Sequence, residues 1–177
     1  TNNSQSVVVV LSTFNGENYL RQQLDSLLNQ SHKNTRILVR DDGSIDDTRK
    51  ILDLYSRTNS NFDVFHGDNI GVVDSFLQLI KMVPPKTDYV ALCDKDDVWN
   101  IDKIERALSS LAGISSGTPV LYCGAVEIVD ENLIHLRSGR HPRRQLSLKN
   151  ALVENVATGC TIVINKAAQG LIAGKSA

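Results

Sequence analysis

The chain has 177 residues, 41% hydrophobic and 22% charged, with a formal net charge of −1 and a pI near 6.4. That length supports a single domain, residues 1–177, with a proper core. The near-neutral charge leaves no footprint for nucleic acid, and no apolar run is long enough for a transmembrane helix.

Ser-Val-Val-Val-Val-Leu-Ser-Thr at 6–13 is an unalternated β-branched run, the mark of a strand buried on both faces in a parallel sheet. Residues 19–30 carry Tyr19, Leu20, Leu24, Leu27 and Leu28 at helical spacing. A second strand is expected at 35–40. A helix follows at 46–55, with Asp46 or Asp47 as its cap and Ile51, Leu52 and Leu54 as its apolar face. A short strand at 62–66 precedes a helix at 72–83, stopped by Pro84-Pro85. Next come a strand at 89–93, a helix from about Ile101 to Leu111 and a strand at 120–129. Asp130-Glu131-Asn132 reads as a hairpin turn. Residues 137–144 form a basic loop, 146–152 a short helix, 160–165 a strand, and the remainder a small-residue tail. Strands and helices alternating in this way imply an α/β fold, a doubly wound and mainly parallel sheet with right-handed crossovers.

The N-terminus, Thr1-Asn2-Asn3-Ser4-Gln5, lacks the basic and apolar regions of a signal peptide. Cys93, Cys123 and Cys160 fall in or beside strand-like runs without metal-type spacing. They read as reduced core residues of a cytosolic protein. His32, His66, His135 and His141 are scattered and read as surface or loop residues.

In a parallel sheet the loops after successive strands share one rim. Here they are 14–18, 41–44, 67–71 and the run after Cys93, all polar, and together they look like a pocket. Asp42 could accept the N–H of a pyrimidine or a ribose hydroxyl, or simply shape an Asp-Asp-Gly-Ser turn. Glu17 is either a ligand contact or a carboxylate well placed at a helix N-terminus. Asn69-Ile70-Gly71 could bring backbone amides to a phosphate, or merely lead into a helix. Asp94, Asp96 and Asp97 crowd three carboxylates into four positions at the end of an apolar strand. Such repulsion is relieved by water or a cation, and an oxygen-only set favours Mg²⁺ or Mn²⁺; the alternative is a solvated turn capped by Asp97 or Asn100. Trp99 is a packing anchor or the floor of a sugar site. No Walker loop, Gly-x-Gly-x-x-Gly or Gly-x-Ser-x-Gly follows the first strand, which argues against P-loop, dinucleotide and serine-hydrolase classes.

Four segments then match in order and spacing: Val-Val-Leu-Ser-Thr-Phe-Asn-Gly-Glu-Asn-Tyr-Leu, Asp-Asp-Gly-Ser-Ile-Asp-Asp-Thr, Asn-Ile-Gly-Val and Cys-Asp-Lys-Asp-Asp-Val-Trp. Together they resemble the family-2 inverting glycosyltransferases of the GT-A fold, and look most like bacterial rhamnosyltransferase-like members that build surface polysaccharides. The resemblance implies that Thr13, Asn15 and Glu17 border the nucleotide base, with Asp41, Asp42 and Asn69 in the same nucleotide site. It implies that Asp42 bonds the pyrimidine of a UDP- or dTDP-linked sugar. Asp94 and Asp96 would be the Asp-x-Asp pair, addressing the ribose and holding Mg²⁺ or Mn²⁺ on the donor diphosphate. Thr158 and Gly159, in Ala-Thr-Gly-Cys, and Trp99 would lie on the acceptor side, facing a glycan or lipid-linked acceptor.

In such relatives the general base lies beyond the Thr-Gly-Cys strand, and this chain holds no matching residue before Ala177. The expectation is therefore a cytoplasmic donor-binding domain truncated at its C-terminus, with a nucleotide-sugar-binding module without activity as the alternative. A sugar nucleotidylyltransferase would need an Arg- or Lys-bearing Gly-rich loop where Phe14-Asn15-Gly16-Glu17 stands. Arg137, Arg140, Arg143 and Arg144 could meet an acceptor diphosphate or the anionic inner membrane face, or form a solvated loop.

Overall fold

The computed structural model describes residues 4–139 and 157–174. Strands β1 (Val7–Thr13), β2 (Thr35–Asp41), β3 (Phe62–His66), β4 (Tyr89–Cys93), β5 (Leu121–Cys123) and β8 (Ile162–Asn165) form one sheet in the order β3-β2-β1-β4-β8-β5. The first four are parallel, and β8 runs antiparallel to both β4 and β5. Strands β6 (Glu127–Val129) and β7 (His135–Ser138) form a separate hairpin.

The valine run shows why both faces are covered. Successive strand side chains point to opposite faces. Val7, Val9 and Leu11 join one core with Leu20, Leu24 and Leu27 of α1 (Leu20–Leu28), Ile51 and Leu52 of α2 (Thr48–Thr58), and Ile104, Ala107 and Leu108 of α4 (Lys103–Leu111). Val8 and Val10 join the other core with Leu79 of α3 (Val72–Met82), and Ala168 of α5 (Lys166–Ile172) packs against it. The expected α/β sheet with helices on both faces is what these residues build.

Several sequence expectations change in detail. Helix α2 starts at Thr48, where the Asp46 carboxylate takes the Thr48 amide at 3.0 Å, and its apolar face excludes Leu54, which is 49% exposed. Neither Asp97 nor Asn100 is the N-cap of α4; Asp102 occupies that position, and the Asn100 carbonyl accepts from the Lys103 amide. The single strand expected at 120–129 is two: β5 pairs with β8 in the main sheet, a ladder the Gly124 amide extends to the Thr161 carbonyl, while β6 pairs with β7 outside it. Asp130-Glu131-Asn132 is the hairpin turn, with Asp130 Oδ1 taking the amides of Asn132 and Ile134. The small-residue tail contains a helix, α5, because Asn165 Oδ1 caps it through the Ala168 amide at 3.0 Å. His32 is buried, its Nε2 bonded to the Gln5 carbonyl at 2.8 Å. The helix expected at 146–152 and Arg140, Arg143 and Arg144 lie outside the described residues.

Leu24 is wholly buried in the larger core. Leu24→Ala should cost about 2–5 kcal/mol of stability, measured by urea denaturation, with an unchanged far-UV spectrum.

Candidate functional site

The ladder continues past the strand ends: the Asp42 amide bonds the Thr13 carbonyl at 2.8 Å and the Gly67 amide the Asp41 carbonyl at 3.0 Å. The loops after β1, β2, β3 and β4 therefore start in register on one rim. Between them lies a cleft of about 270 Å³ lined by Ser12, Phe14, Asp42, Asn69, Gly71, Val72, Asp94, Lys95 and Asp96. All four loops contribute to it.

Of the residues singled out in the sequence, Asp42, Asn69, Gly71, Asp94 and Asp96 line this cleft. Asp42 is buried and gripped: Oδ1 accepts from Arg40 Nη1 and from the Ile70 amide at 3.0 Å, and Oδ2 from the Gly71 amide at 2.9 Å. Burial alone would push its carboxyl up. The bonds from Ile70, Arg40 and Gly71 outweigh that and hold it below the ordinary aspartate value.

Asp41 faces elsewhere. It is fully buried, takes the Ser44 amide, and pairs with Arg49 Nε at 2.7 Å. Asn15 and Glu17 are spent on neighbouring loops. Asn15 Oδ1 takes the Ile45 amide at 3.0 Å, and Glu17 Oε2 the Asp47 amide at 2.8 Å. The backbone of the same loop reciprocates, the amides of Asn15 and Gly16 donating to the hydroxyls of Ser44 and Thr48. Thr13 is buried with an unpartnered hydroxyl close to Gly16, where a Cβ would stand 2.8 Å from it. Gly43 has a φ of 85°, and a Cβ there would meet the Asn69 amide nitrogen at 2.8 Å, so only glycine lets the 42–44 turn close against the Asn69 loop.

On the other side of the cleft the Asp94 and Asp97 carboxylates and the Cys160 thiol lie within 4.8 Å of one another. Asp94 is held above the ordinary carboxylate range, first by burial, then by the charges of Asp97 and Asp96. Burial and a hydrogen bond to Asp97 push the Cys160 thiol up to about 12, so it stays protonated and donates. Under them Lys103 Nζ bonds the Cys160 carbonyl and stands 4.1 Å from the centre of the Trp99 ring. Trp99, 5% exposed, is core rather than cleft surface. Gly159 is close to the cluster, a Cβ there standing 3.7 Å from Asp94 Oδ2, while Thr158 uses its carbonyl to hold Thr161.

The donor set fits a hard dication. Three carboxylates repel one another, the exposed Asp96 faces the cleft, and the neighbouring sulfur is a thiol rather than a thiolate. Sequence reasoning missed Phe14, Lys95, Arg40 and Lys103. Lys95 was visible inside the acidic run, and its Nζ reaches the Phe14 carbonyl at 2.8 Å, joining two cleft loops.

The sequence model described as glycosyl transferase family 2 matches residues 8–168. An uncharacterized glycosyltransferase of Rickettsia typhi is 29% identical over 91% of this chain and 50% of its own length. The dTDP-rhamnosyl transferase RfbG of Shigella flexneri is 28% identical over 88% of this chain and 54% of its own. The chain thus spans about half the length of these relatives. Among solved structures, S. aureus TarS residues 1–349 superpose with a TM-score of 0.68 at 20% identity, over 92% of this chain and 48% of that one. Its complex with UDP-GlcNAc gives 0.55 at 25% identity over 60% of this chain and 31% of that one. The mannosyltransferase PcManGT of Pyrobaculum calidifontis, solved with GDP-Man and Mn²⁺, gives 0.59 at 16% over 93% of this chain and 46% of that one.

Because Asp94 titrates above its unfolded-chain value, the fold disfavours its charged form. That penalty is full above the folded pKa and absent below the unfolded one. Asp94→Asn should therefore raise the melting temperature of metal-free protein by about 2 °C at about pH 7, and lose that advantage near about pH 3, read by calorimetric scans in EDTA.

Proposed function

The chain belongs to glycosyl transferase family 2, and on that premise we propose that its cleft holds a UDP- or dTDP-linked sugar. The sugar then passes with inversion to a glycan or lipid-linked acceptor in bacterial surface-polysaccharide assembly. One observation carries this reading: a buried, ionised carboxylate, Asp42, and the crowded carboxylates Asp94 and Asp96 line one cleft. The first suits a base N–H, the second a diphosphate bridged by a cation.

The residues divide the work by chemistry. Asp42 accepts from the base, and the Phe14 ring, 40% exposed at the cleft, gives the base an apolar neighbour. Asn69 and Gly71 stand at the start of α3, where the helix N-terminus favours phosphate oxygens. Asp94 and Asp96 would hold Mg²⁺ or Mn²⁺, an ion that supplies charge neutralisation on the departing diphosphate. Asp97, bonded to the Cys160 thiol, links the acidic loop to the Thr158-Gly159 turn, the side from which an acceptor would approach. Support comes from RfbG, named for a dTDP-rhamnosyl donor, and TarS, solved with UDP-GlcNAc, since uracil and thymine share one imide face.

Calorimetric titration of UDP and dTDP, with and without Mn²⁺, tests the proposal. Wild-type protein should bind in the presence of metal, and an Asp94→Asn, Asp96→Asn variant should lose about tenfold or more. Equal affinity in the two proteins would remove the metal-assisted donor site.

We also propose contact with an anionic membrane face through Arg137, Arg140, Arg143 and Arg144. Of these, Arg137 lies on β7 among the described residues, where no helix is long and apolar enough to cross a membrane. Co-sedimentation with anionic liposomes should fall in an Arg140, Arg143, Arg144→Ala variant, by about 1 kcal/mol per arginine. Unchanged co-sedimentation would sink the idea.

A further inference from the structure

We infer that Arg40 is a positioning residue, locking Asp42 and the 67–71 loop into one unit that leaves a single lone pair of Asp42 for the nucleotide. That arrangement fits a base with one imide N–H, uracil or thymine, and misfits guanine. The inference rests on Asp42 as the base contact proposed above.

Arg40 sits inside a parallel sheet, with its side chain 7% exposed. An arginine so buried needs all its donors satisfied. Its Nε donates to Gln78 Oε1 at 3.1 Å, Nη1 to Asp42 Oδ1 and to Ser75 Oγ at 3.3 Å, and Nη2 to the Asp68 carbonyl at 2.9 Å. One planar group thus ties the end of β2 to α3 and to the loop between β3 and α3. That same loop returns the Ile70 and Gly71 amides to Asp42. The carboxylate is held from beneath by the guanidinium and from the side by the backbone that the guanidinium braces.

The acceptor count follows. A carboxylate offers about four lone-pair positions, two on each oxygen. Oδ1 takes Arg40 Nη1 and the Ile70 amide, so it is full; Oδ2 takes the Gly71 amide alone, so it has one left. Uracil and thymine offer one imide N–H on that edge and can use it. Guanine offers N1–H and the exocyclic amine side by side and pairs with a carboxylate through both oxygens, one of which is already filled. Cytosine turns an acceptor, N3, toward the carboxylate and is repelled.

Gly67 supplies a way to disturb the clamp without deleting it. A Cβ there would stand 2.5 Å from Arg40 Nη2, with Arg40 Cζ and Nε next nearest, and its backbone is outside the left-handed region, so alanine crowds the guanidinium first.

UDP, dTDP and GDP affinities would be measured by calorimetry for wild type, Asp42→Asn, Arg40→Met and Gly67→Ala, each checked by thermal melting. Wild type should prefer UDP and dTDP to GDP, and Asp42→Asn should lose UDP. Arg40→Met and Gly67→Ala should weaken UDP by about tenfold or more and narrow the UDP-to-GDP ratio by a similar factor, the scale of one charge-assisted bond. A purely structural role would lower melting temperature and leave the ratio intact, which overturns the inference. If Arg40→Met fails to fold, Gly67→Ala decides alone. Wild-type UDP affinity in Asp42→Asn would instead overturn the base-contact reading, and this inference with it.

Discussion

Burial of β1 on both faces is the constraint from which the rest follows. A strand that must cover Val7, Val9 and Leu11 on one side and Val8 and Val10 on the other needs helices above and below. It also needs strand partners along both edges, which β2 and β4 supply in parallel register. Parallel neighbours all finish at the same rim. Four polar loops are therefore brought together by apolar packing that takes place elsewhere in the molecule.

What keeps the rim shaped is a lattice of side-chain to backbone bonds. Asn15 and Glu17 reach from the first loop to the amides of Ile45 and Asp47, while Ser44 and Thr48 accept amides in return. Asp42 accepts from the third loop, and Lys95 reaches back from the fourth to the first. Each bond satisfies an amide or carbonyl that a loop would otherwise leave to water. Residues that resemble ligand contacts in the sequence thus hold one another, and fewer of them face the cleft than their polarity suggests.

The fold was legible because its signals are local. Four consecutive valines, helical stripes of leucine and Pro84-Pro85 needed no tertiary context. The split of 120–129 into β5 and β6 was not legible, because the two pair with different partners, β5 with β8 far along the chain and β6 with β7. Helix α5 hid among small residues, its cap Asn165 being also the last residue of β8, where the strand was expected to end. The different fates of Asp41 and Asp42 were within reach: neighbours at a strand end point to opposite sides, so one of the pair had to turn from the cleft. Arg40 could not be read, because nothing in a sequence tells a buried guanidinium from a solvated one. The acidic cluster was read correctly as crowded; the bond from Cys160 to Asp97, more than sixty residues apart, was beyond any local pattern.

The position of β8 also sets an order of assembly during synthesis. It separates β4 from β5 in the sheet although β5 precedes it in the chain, and its pairing joins Tyr89–Ala91 to residues 163–165. Until that segment leaves the ribosome, β5 has no neighbour in the main sheet, while β3, β2, β1 and β4 can already be paired. Contacts of such sequence separation form slowly. The Asp42 side of the cleft can thus mature on the nascent chain first. The turn at Gly159–Thr161 closes against Asp94 and Asp97 later, once its own residues have emerged.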